Sequence, residues 1–128
     1  MNANRKFFHC KRCGNIINLI DDKGGSMACC GTEMSELIAN TVDASNEKHL
    51  PDVTIFGDII NIQVGSVPHP MDEGHYIQFI YVETELGGQC KRLNPGDSPS
   101  ADFSFVSDKP VTVYEYCNLH GLWKTEIK

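Results

Sequence analysis

Residues 59–64 read Ile-Ile-Asn-Ile-Gln-Val, and this short stretch indicates the fold class of the chain. Ile60, Ile62 and Val64 alternate with Asn61 and Gln63, which is the pattern of a β-strand with one buried face. From residue 51 onward, similar short apolar stretches alternate with turn residues at the spacing expected of a sandwich or a barrel. Helical periodicity is absent. The sequence therefore predicts an all-β fold.

Four further strands are predicted on either side of clear turn signals. The turns contain Gly87-Gly88, Asn94-Pro95-Gly96-Asp97 and Asp108-Lys109-Pro110. The strands are expected at residues 76–82, 101–106, 111–116 and 122–127, and the last of them would complete the sheet.

Length and charge limit the possible functions. A chain of 128 residues can form a very small metal-stapled module and one compact domain, but not two ordinary domains. The net charge of −6, from 17 acidic and 11 basic residues, argues against a nucleic-acid partner. No apolar run approaches the roughly 20 residues that span a membrane, and no signal peptide is recognisable. We therefore expect a cytoplasmic protein, in which six cysteines bind metal more readily than they form disulfides.

The amino-terminal part has the composition of a metal-stapled module. Residues 7–37 contain four cysteines but few bulky apolar side chains, so an ordered structure there requires a metal. Residues 40–46 are small and polar. We predict a module at 1–38, a linker at 39–46 and a sandwich domain at 47–128.

The four cysteines of the module form two pairs. Cys10 and Cys13 lie on one tight turn with Gly14, whereas Cys29 and Cys30 are adjacent, which is unusual for zinc. Four thiolates suit either zinc or iron. The alternative is a set of disulfides, although a bridge between Cys29 and Cys30 would be strained.

The second candidate site combines imidazole and thiolate donors. Its members are His49, His69, His75, Cys117 and His120, and the last two are spaced so that both can point at one ion from one turn. This donor mixture suits iron or copper. A blue-copper electron carrier would need only two of the histidines and an axial methionine, and a zinc-stapled binding module would leave this second site without a role.

Both donor sets occur in familiar motifs. Phe8-His9-Cys10-Lys11-Arg12-Cys13-Gly14-Asn15 and Ala28-Cys29-Cys30-Gly31-Thr32-Glu33-Met34 resemble the desulforedoxin module, which holds one iron on four cysteines. Glu47-Lys48-His49-Leu50-Pro51, Ser66-Val67-Pro68-His69-Pro70-Met71, Gly74-His75-Tyr76 and Cys117-Asn118-Leu119-His120-Gly121 resemble desulfoferrodoxin, the two-iron superoxide reductase.

The resemblance implies a desulforedoxin-like module followed by an immunoglobulin-like β-sandwich. It also implies two mononuclear non-haem irons per chain. The first would be held by Cys10, Cys13, Cys29 and Cys30. The second would have His49, His69, His75 and His120 in a plane, Cys117 as the axial ligand and one open position.

The resemblance further implies the one-electron reduction of superoxide to hydrogen peroxide, with electrons from a reduced donor such as rubredoxin, and a homodimer. Lys48 would attract superoxide and deliver a proton, and Glu47 would occupy the open position once the iron is oxidised. The rival function is a non-catalytic electron carrier. We expect Cys90 to be a partly buried free thiol, Tyr116 to be a core aromatic, and Trp123 to be a core or interface aromatic.

Overall fold

The computed structural model describes residues 6–127, and these residues form two compact units, 6–38 and 39–127. Both units are built almost entirely from antiparallel β-strands, which confirms the all-β prediction. Among the described residues, no helix is long and apolar enough to cross a membrane.

The smaller unit is a three-stranded sheet with a short hairpin. Strand β1 (Lys6–His9) lies between β2 (Ile16–Leu19) and β5 (Ser35–Leu37), and β3 (Ala28–Cys29) pairs with β4 (Thr32–Glu33). Its buried apolar residues are Phe7, Cys10 and Met34. Such a small apolar core agrees with a unit whose stability depends on its cysteines.

The larger unit is a seven-stranded sandwich of immunoglobulin-like type. One sheet has the order β10 (Ser100–Ser104), β7 (Ile59–Val64), β6 (Pro51–Phe56). The other has the order β12 (Gly121–Glu126), β11 (Pro110–Cys117), β8 (Ile77–Thr84), β9 (Gly88–Arg92). The apolar core includes Ile60, Ile62, Val64, Ile77, Ile80, Val82, Phe103, Val113 and Cys117.

The alternation that predicts the fold is confirmed in β7. Ile60, Ile62 and Val64 are each at most 1% exposed, whereas Asn61 and Gln63 point away from the core and their side chains are hydrogen-bonded to each other. The period-two pattern therefore places one face of β7 against the opposite sheet.

Side chains close the two sides of the sandwich. Gln89 and Lys91 on β9 donate hydrogen bonds to the main-chain oxygens of Ser104 and Asp102 on β10. On the other side, the Thr125 hydroxyl on β12 donates to the Pro51 oxygen on β6, at 2.7 Å. These bonds connect edge strands of different sheets without a shared β-ladder.

Four features differ from, or add to, the sequence expectations. Strand β9 was not predicted, and Asn46–His49 form one helical turn, α1, although no helix was expected. Asn40, in the segment predicted as a linker, lies along β12, where its side chain accepts from Lys124 N and donates to Lys124 O at 2.8 and 3.2 Å. Cys90 is exposed on β9 and is not partly buried.

Candidate metal centres

The first centre gathers the four cysteines of the smaller unit. Their sulfur atoms all lie within 4.8 Å of one another, and Cys13 and Cys29 have a sulfur–sulfur distance of 3.5 Å. None of them forms a disulfide. The disulfide alternative is therefore not supported by the structure.

Backbone conformation explains how adjacent cysteines reach one centre. Cys30 and Gly31 form the two-residue loop between β3 and β4, with φ of 54° and 75°. Positive φ at both central residues is what a type I′ hairpin turn requires. The turn lets Cys29, on the strand, and Cys30, at the tip, bring their sulfurs to within 3.9 Å of each other.

Hydrogen bonds divide the protons unequally among these thiols. The pKa of Cys10 is lowered to about 6, first because the backbone N–H of Cys13 donates to its sulfur. The pKa of Cys29 is raised to about 12, first through its contact with Cys13. A cluster in which the Cys10 thiolate forms readily while Cys29 and Cys30 hold protons is suited to a cation that replaces those protons.

Three separate segments supply the second centre. His49 ends α1, His69 and His75 lie in the loop between β7 and β8, and Cys117 and His120 lie at the turn between β11 and β12. One nitrogen from each histidine and the Cys117 sulfur lie within 4.8 Å of one another. All five predicted donors of this site therefore come together.

The four imidazoles form a closed ring around the centre. The centroids of neighbouring rings are 4.7 Å apart for His49–His69 and His69–His75, 5.1 Å for His75–His120 and 4.9 Å for His120–His49. Each pair meets at 75–88°. The Cys117 sulfur lies 3.8 Å from His120 Nδ1. Four nitrogens and one sulfur thus share one small space.

Two of these imidazoles have a fixed tautomer. His49 Nδ1 donates to Ser45 O at 2.7 Å, and His69 Nδ1 donates to Pro70 O at 2.6 Å, because a carbonyl can only accept. The Nε2 atoms of these two residues then carry lone pairs and face each other at 3.2 Å. No proton is available to join them, so the arrangement fits a cation between them.

The remaining properties of the donors agree with metal binding. His75 Nε2 is buried and has no partner within residues 6–127. Burial lowers the pKa values of His49 and His75, and it lowers that of His69 to about 4. Burial also raises the pKa of Cys117. His49, His69 and His75 are therefore neutral near pH 7, as ligands must be, and the Cys117 thiol needs a cation to ionise.

Lys48 and Glu47 are exposed on α1, directly before His49. The charge of Lys48 lowers the pKa values of both His49 and His75, so its ammonium acts on the centre. The Glu47 main-chain oxygen accepts from Val67 N at 3.0 Å, which ties α1 to the loop that carries His69.

Three residues around the second centre make contacts that the sequence did not predict. Trp123, expected to be an ordinary core or interface aromatic, stacks on His49 at 4.9 Å and donates from Nε1 to His120 O at 3.1 Å. Gly65 packs against the backbone of residues 47–50. Asn118 bonds to both neighbours of His75. For Asn118, the sequence signal is its position between the predicted donors Cys117 and His120. Gly65 and Trp123 have no comparable signal in the sequence.

The fold and the two donor clusters define a small all-β metalloprotein with one tetrathiolate centre and one four-imidazole, one-thiolate centre. Comparison with protein families assigns the segments of both units to the same family. The family description "Desulfoferrodoxin" matches residues 41–126, and "Desulfoferrodoxin, N-terminal domain" matches residues 3–37. The chain belongs to the desulfoferrodoxin family, and its cofactor is iron.

Relatives and solved structures support this assignment. The chain is 44% identical over 119 residues to a desulfoferrodoxin of Syntrophotalea carbinolica, covering 93% of this chain and 94% of that protein. It is 33% identical over 104 residues to a superoxide reductase of Pyrococcus horikoshii, covering 67% and 90%. The crystal structure of the superoxide reductase from Treponema pallidum is similar with a TM-score of 0.82 and 34% identity, covering 96% of this chain and 99% of that one.

Proposed function

We propose that this chain is a superoxide reductase, which converts superoxide, one electron and two protons into hydrogen peroxide. The reaction would take place at the second centre, with His49, His69, His75, Cys117 and His120 as ligands of iron. The observation that carries the proposal is the closed ring of four imidazoles beside the buried Cys117 thiol. Similarity to superoxide reductases of known structure supports it.

Iron held by His49, His69, His75, Cys117 and His120 would supply one-electron redox chemistry at this centre. The chain itself provides the surroundings: Cys117 is fully buried, whereas His75 and His120 are partly exposed, so a small anion can approach from their side. Among the described residues, the donor group of this centre consists of four histidines and one cysteine, which would hold the iron.

Lys48 has the properties needed for attracting an anion to this opening. The chain has a net charge of −6, so a local positive charge beside the centre is needed to draw superoxide in. The Lys48 ammonium is exposed and its field reaches His49 and His75. We assign it substrate attraction and proton delivery, and we assign the Glu47 carboxylate to covering the oxidised centre.

The alternative function, a non-catalytic electron carrier of blue-copper type, has less support. Such a site combines two histidines and a cysteine with a weak axial methionine. In the part of the chain that the structure describes, the centre has four histidines, and no methionine belongs to its donor group. The sulfur of Met71 instead accepts a hydrogen bond from Ile77 N at 3.4 Å.

The wider assignment includes both centres and the partners. We propose domain limits of 1–38 for the module, 39–46 for the linker and 47–128 for the catalytic domain, with the first iron on Cys10, Cys13, Cys29 and Cys30. A reduced electron-transfer protein such as rubredoxin would supply electrons. A cytoplasmic location is supported by six free cysteines.

We further propose a homodimer. Ile55, Phe56 and Ile59, at the hairpin between β6 and β7, are 50%, 65% and 49% exposed, and a cluster of exposed apolar side chains is typical of a contact surface. Light scattering of the purified chain would test this, and a monomer at micromolar concentration would remove the proposal.

The function is tested by titrating the fully reduced, iron-loaded protein with superoxide. The optical change of the second iron and the hydrogen peroxide formed are both counted. One peroxide for each superoxide consumed, with no oxygen released, is the expected result. Oxygen release in the amount expected of dismutation would reject a reductase.

A further inference from the structure

His75 lacks the ring hydrogen bond to a carbonyl oxygen that His49 and His69 have. The ring nitrogens of His49 and His69 that point away from the centre donate to carbonyl oxygens, and the main chain of His120 accepts from Trp123. His75 Nε2 is buried and has no hydrogen-bond partner among residues 6–127. Its position must therefore be fixed through its main chain.

Asn118 holds that main chain on both sides of His75. Its Oδ1 accepts from Tyr76 N at 2.9 Å, and its Nδ2 donates to Gly74 O at 3.0 Å. Asn118 N also donates to Tyr76 O at 3.2 Å. Asn118 thus makes three hydrogen bonds to Gly74 and Tyr76, the two neighbours of the donor His75.

The rest of the loop gives His75 only one other main-chain support. Asp72 and His75 exchange N–H···O bonds of 3.0 Å in both directions, which closes a tight turn within the loop. This pair shapes the turn but does not attach it to another segment. The Asn118 bonds make that attachment, because Asn118 belongs to the turn between β11 and β12.

We propose that Asn118 is a positioning residue for the second centre, which locks His75 to the turn that carries Cys117 and His120. The proposal rests on the proposed ligand set and not on superoxide as the substrate. In sequence, Asn118 lies between the donors Cys117 and His120. Its side chain forms hydrogen bonds to the main chain of both neighbours of a third donor, His75. Together with the pairing of Ile77 and Cys117 between β8 and β11, it connects the segments of three of the five donors.

The side chain must be an amide to do this. Its oxygen accepts and its nitrogen donates at the same time, to groups on opposite sides of His75. An aspartate would keep the acceptor for Tyr76 N but would place an oxygen against Gly74 O. Alanine would remove both bonds and leave the Gly74 carbonyl and the Tyr76 N–H without these partners.

The test measures iron release from the full-length, iron-loaded protein to a chelator in excess. Loss of groups that orient metal ligands commonly weakens metal binding about 10- to 100-fold. We expect Asn118→Ala to speed release from the second centre by about tenfold or more, with Asn118→Asp between it and the parent protein. Release from the first centre serves as the reference and should not change.

The matched control is Asn61→Ala. Asn61 donates from Nδ2 to Asp102 Oδ1 at 2.7 Å on the exposed face of β7, so this variant loses an asparagine hydrogen bond away from the donors. It should release iron at the parent rate. Equal acceleration in both variants would mean that general loosening, and not the His75 attachment, determines release, and it would overturn the proposal.

A double-mutant cycle with His75→Ala identifies the residue through which Asn118 acts. If Asn118 works by positioning His75, the Asn118→Ala substitution should have no further effect once His75 is absent. A full additional acceleration in the double variant would overturn the positioning role while leaving the ligand set intact. If His75→Ala itself released iron at the parent rate, His75 would not be a ligand and the proposal would fail with that assignment.

Discussion

At the scale of single residues, Gly65 lies directly against the turn that carries Glu47, Lys48 and His49. A Cβ atom at Gly65 would lie 2.4 Å from Glu47 O and 3.0 Å from both Leu50 O and the Lys48 carbonyl carbon. All three obstacles are backbone atoms, so no side-chain rotation can relieve the contact. The absence of a side chain at Gly65 thus sets where α1 sits.

We expect Gly65→Ala to displace α1 and to weaken the second centre. Overpacking of this kind typically costs about 1–3 kcal/mol of stability. Iron release from the second centre should accelerate because His49 moves with the turn. Gly87→Ala is the matched control, since a Cβ there meets nothing within 4 Å and its φ is not left-handed. If the two variants behave alike in denaturation and iron release, the close packing at Gly65 has no role.

Lys48 offers a second test at this scale. Lys48→Ala should lower the second-order rate constant with superoxide by about one to two orders of magnitude, because the local positive charge is lost. The optical spectra of both irons should stay unchanged. Lys48→Arg, which keeps the charge, is the control and should retain most of the rate. Unchanged kinetics in Lys48→Ala would exclude Lys48 from the reaction.

The donors could be found in the sequence because their residue types and motifs identify them. The structure gathers all nine predicted cysteines and histidines into two groups. Gly65, Asn118 and Trp123 could not be found in this way. Their roles depend on partners that are remote in sequence, such as Tyr76, 42 positions from Asn118.

At the scale of elements, strands with a clear apolar alternation were predictable and the others were not. Strands β8, β10, β11 and β12 lie where turn signals and apolar residues place them. Strand β9 is exposed along its whole length and has no apolar face. It is a strand because its backbone pairs with β8, which a hydrophobic pattern cannot reveal.

The helical turn α1 escaped prediction for a related reason. Four residues are too few to show helical periodicity or to be stable alone. Its own hydrogen bond runs from Leu50 N to Asn46 O, and a tertiary contact holds the turn in place, because Glu47 O accepts from Val67 N. The segment that carries Lys48 and His49 is therefore held in its conformation by the loop between β7 and β8.

Strand β12 provides a test through Trp123, which is 2% exposed. Trp123→Phe keeps an aromatic ring beside His49 but removes the hydrogen bond to His120 O, and it should cost about 1 kcal/mol. Trp123→Ala removes the ring as well and should cost about 3–5 kcal/mol. Chemical denaturation followed by circular dichroism measures both. Equal losses would mean that the stacking on His49 contributes nothing.

At the scale of the whole molecule, the two centres lie in separate compact units, each with its own strands and donors. Their surroundings differ. Cys13 and Cys30 of the first centre are exposed, whereas His49, His69 and Cys117 of the second are buried. We therefore expect damage to one centre to leave the other intact.

Cys13→Ser tests this independence. The variant should lose the optical spectrum of the first iron, because one of four sulfur donors is replaced. The second iron should keep its spectrum, and the pre-reduced variant should still convert superoxide to hydrogen peroxide at the parent rate. A pre-reduced variant that fails to react would show that the second centre depends on the first.

The bonds that join β9 to β10 and Asn40 to β12 have a consequence for how copies of this protein can associate. Outward-facing carbonyl and amide groups on those strands are already occupied by glutamine, lysine and asparagine side chains. A neighbouring polypeptide that tried to extend either sheet would first have to displace them. Fibre-like growth through these borders is thereby discouraged, and self-association is directed to side-chain surfaces such as the hairpin tip.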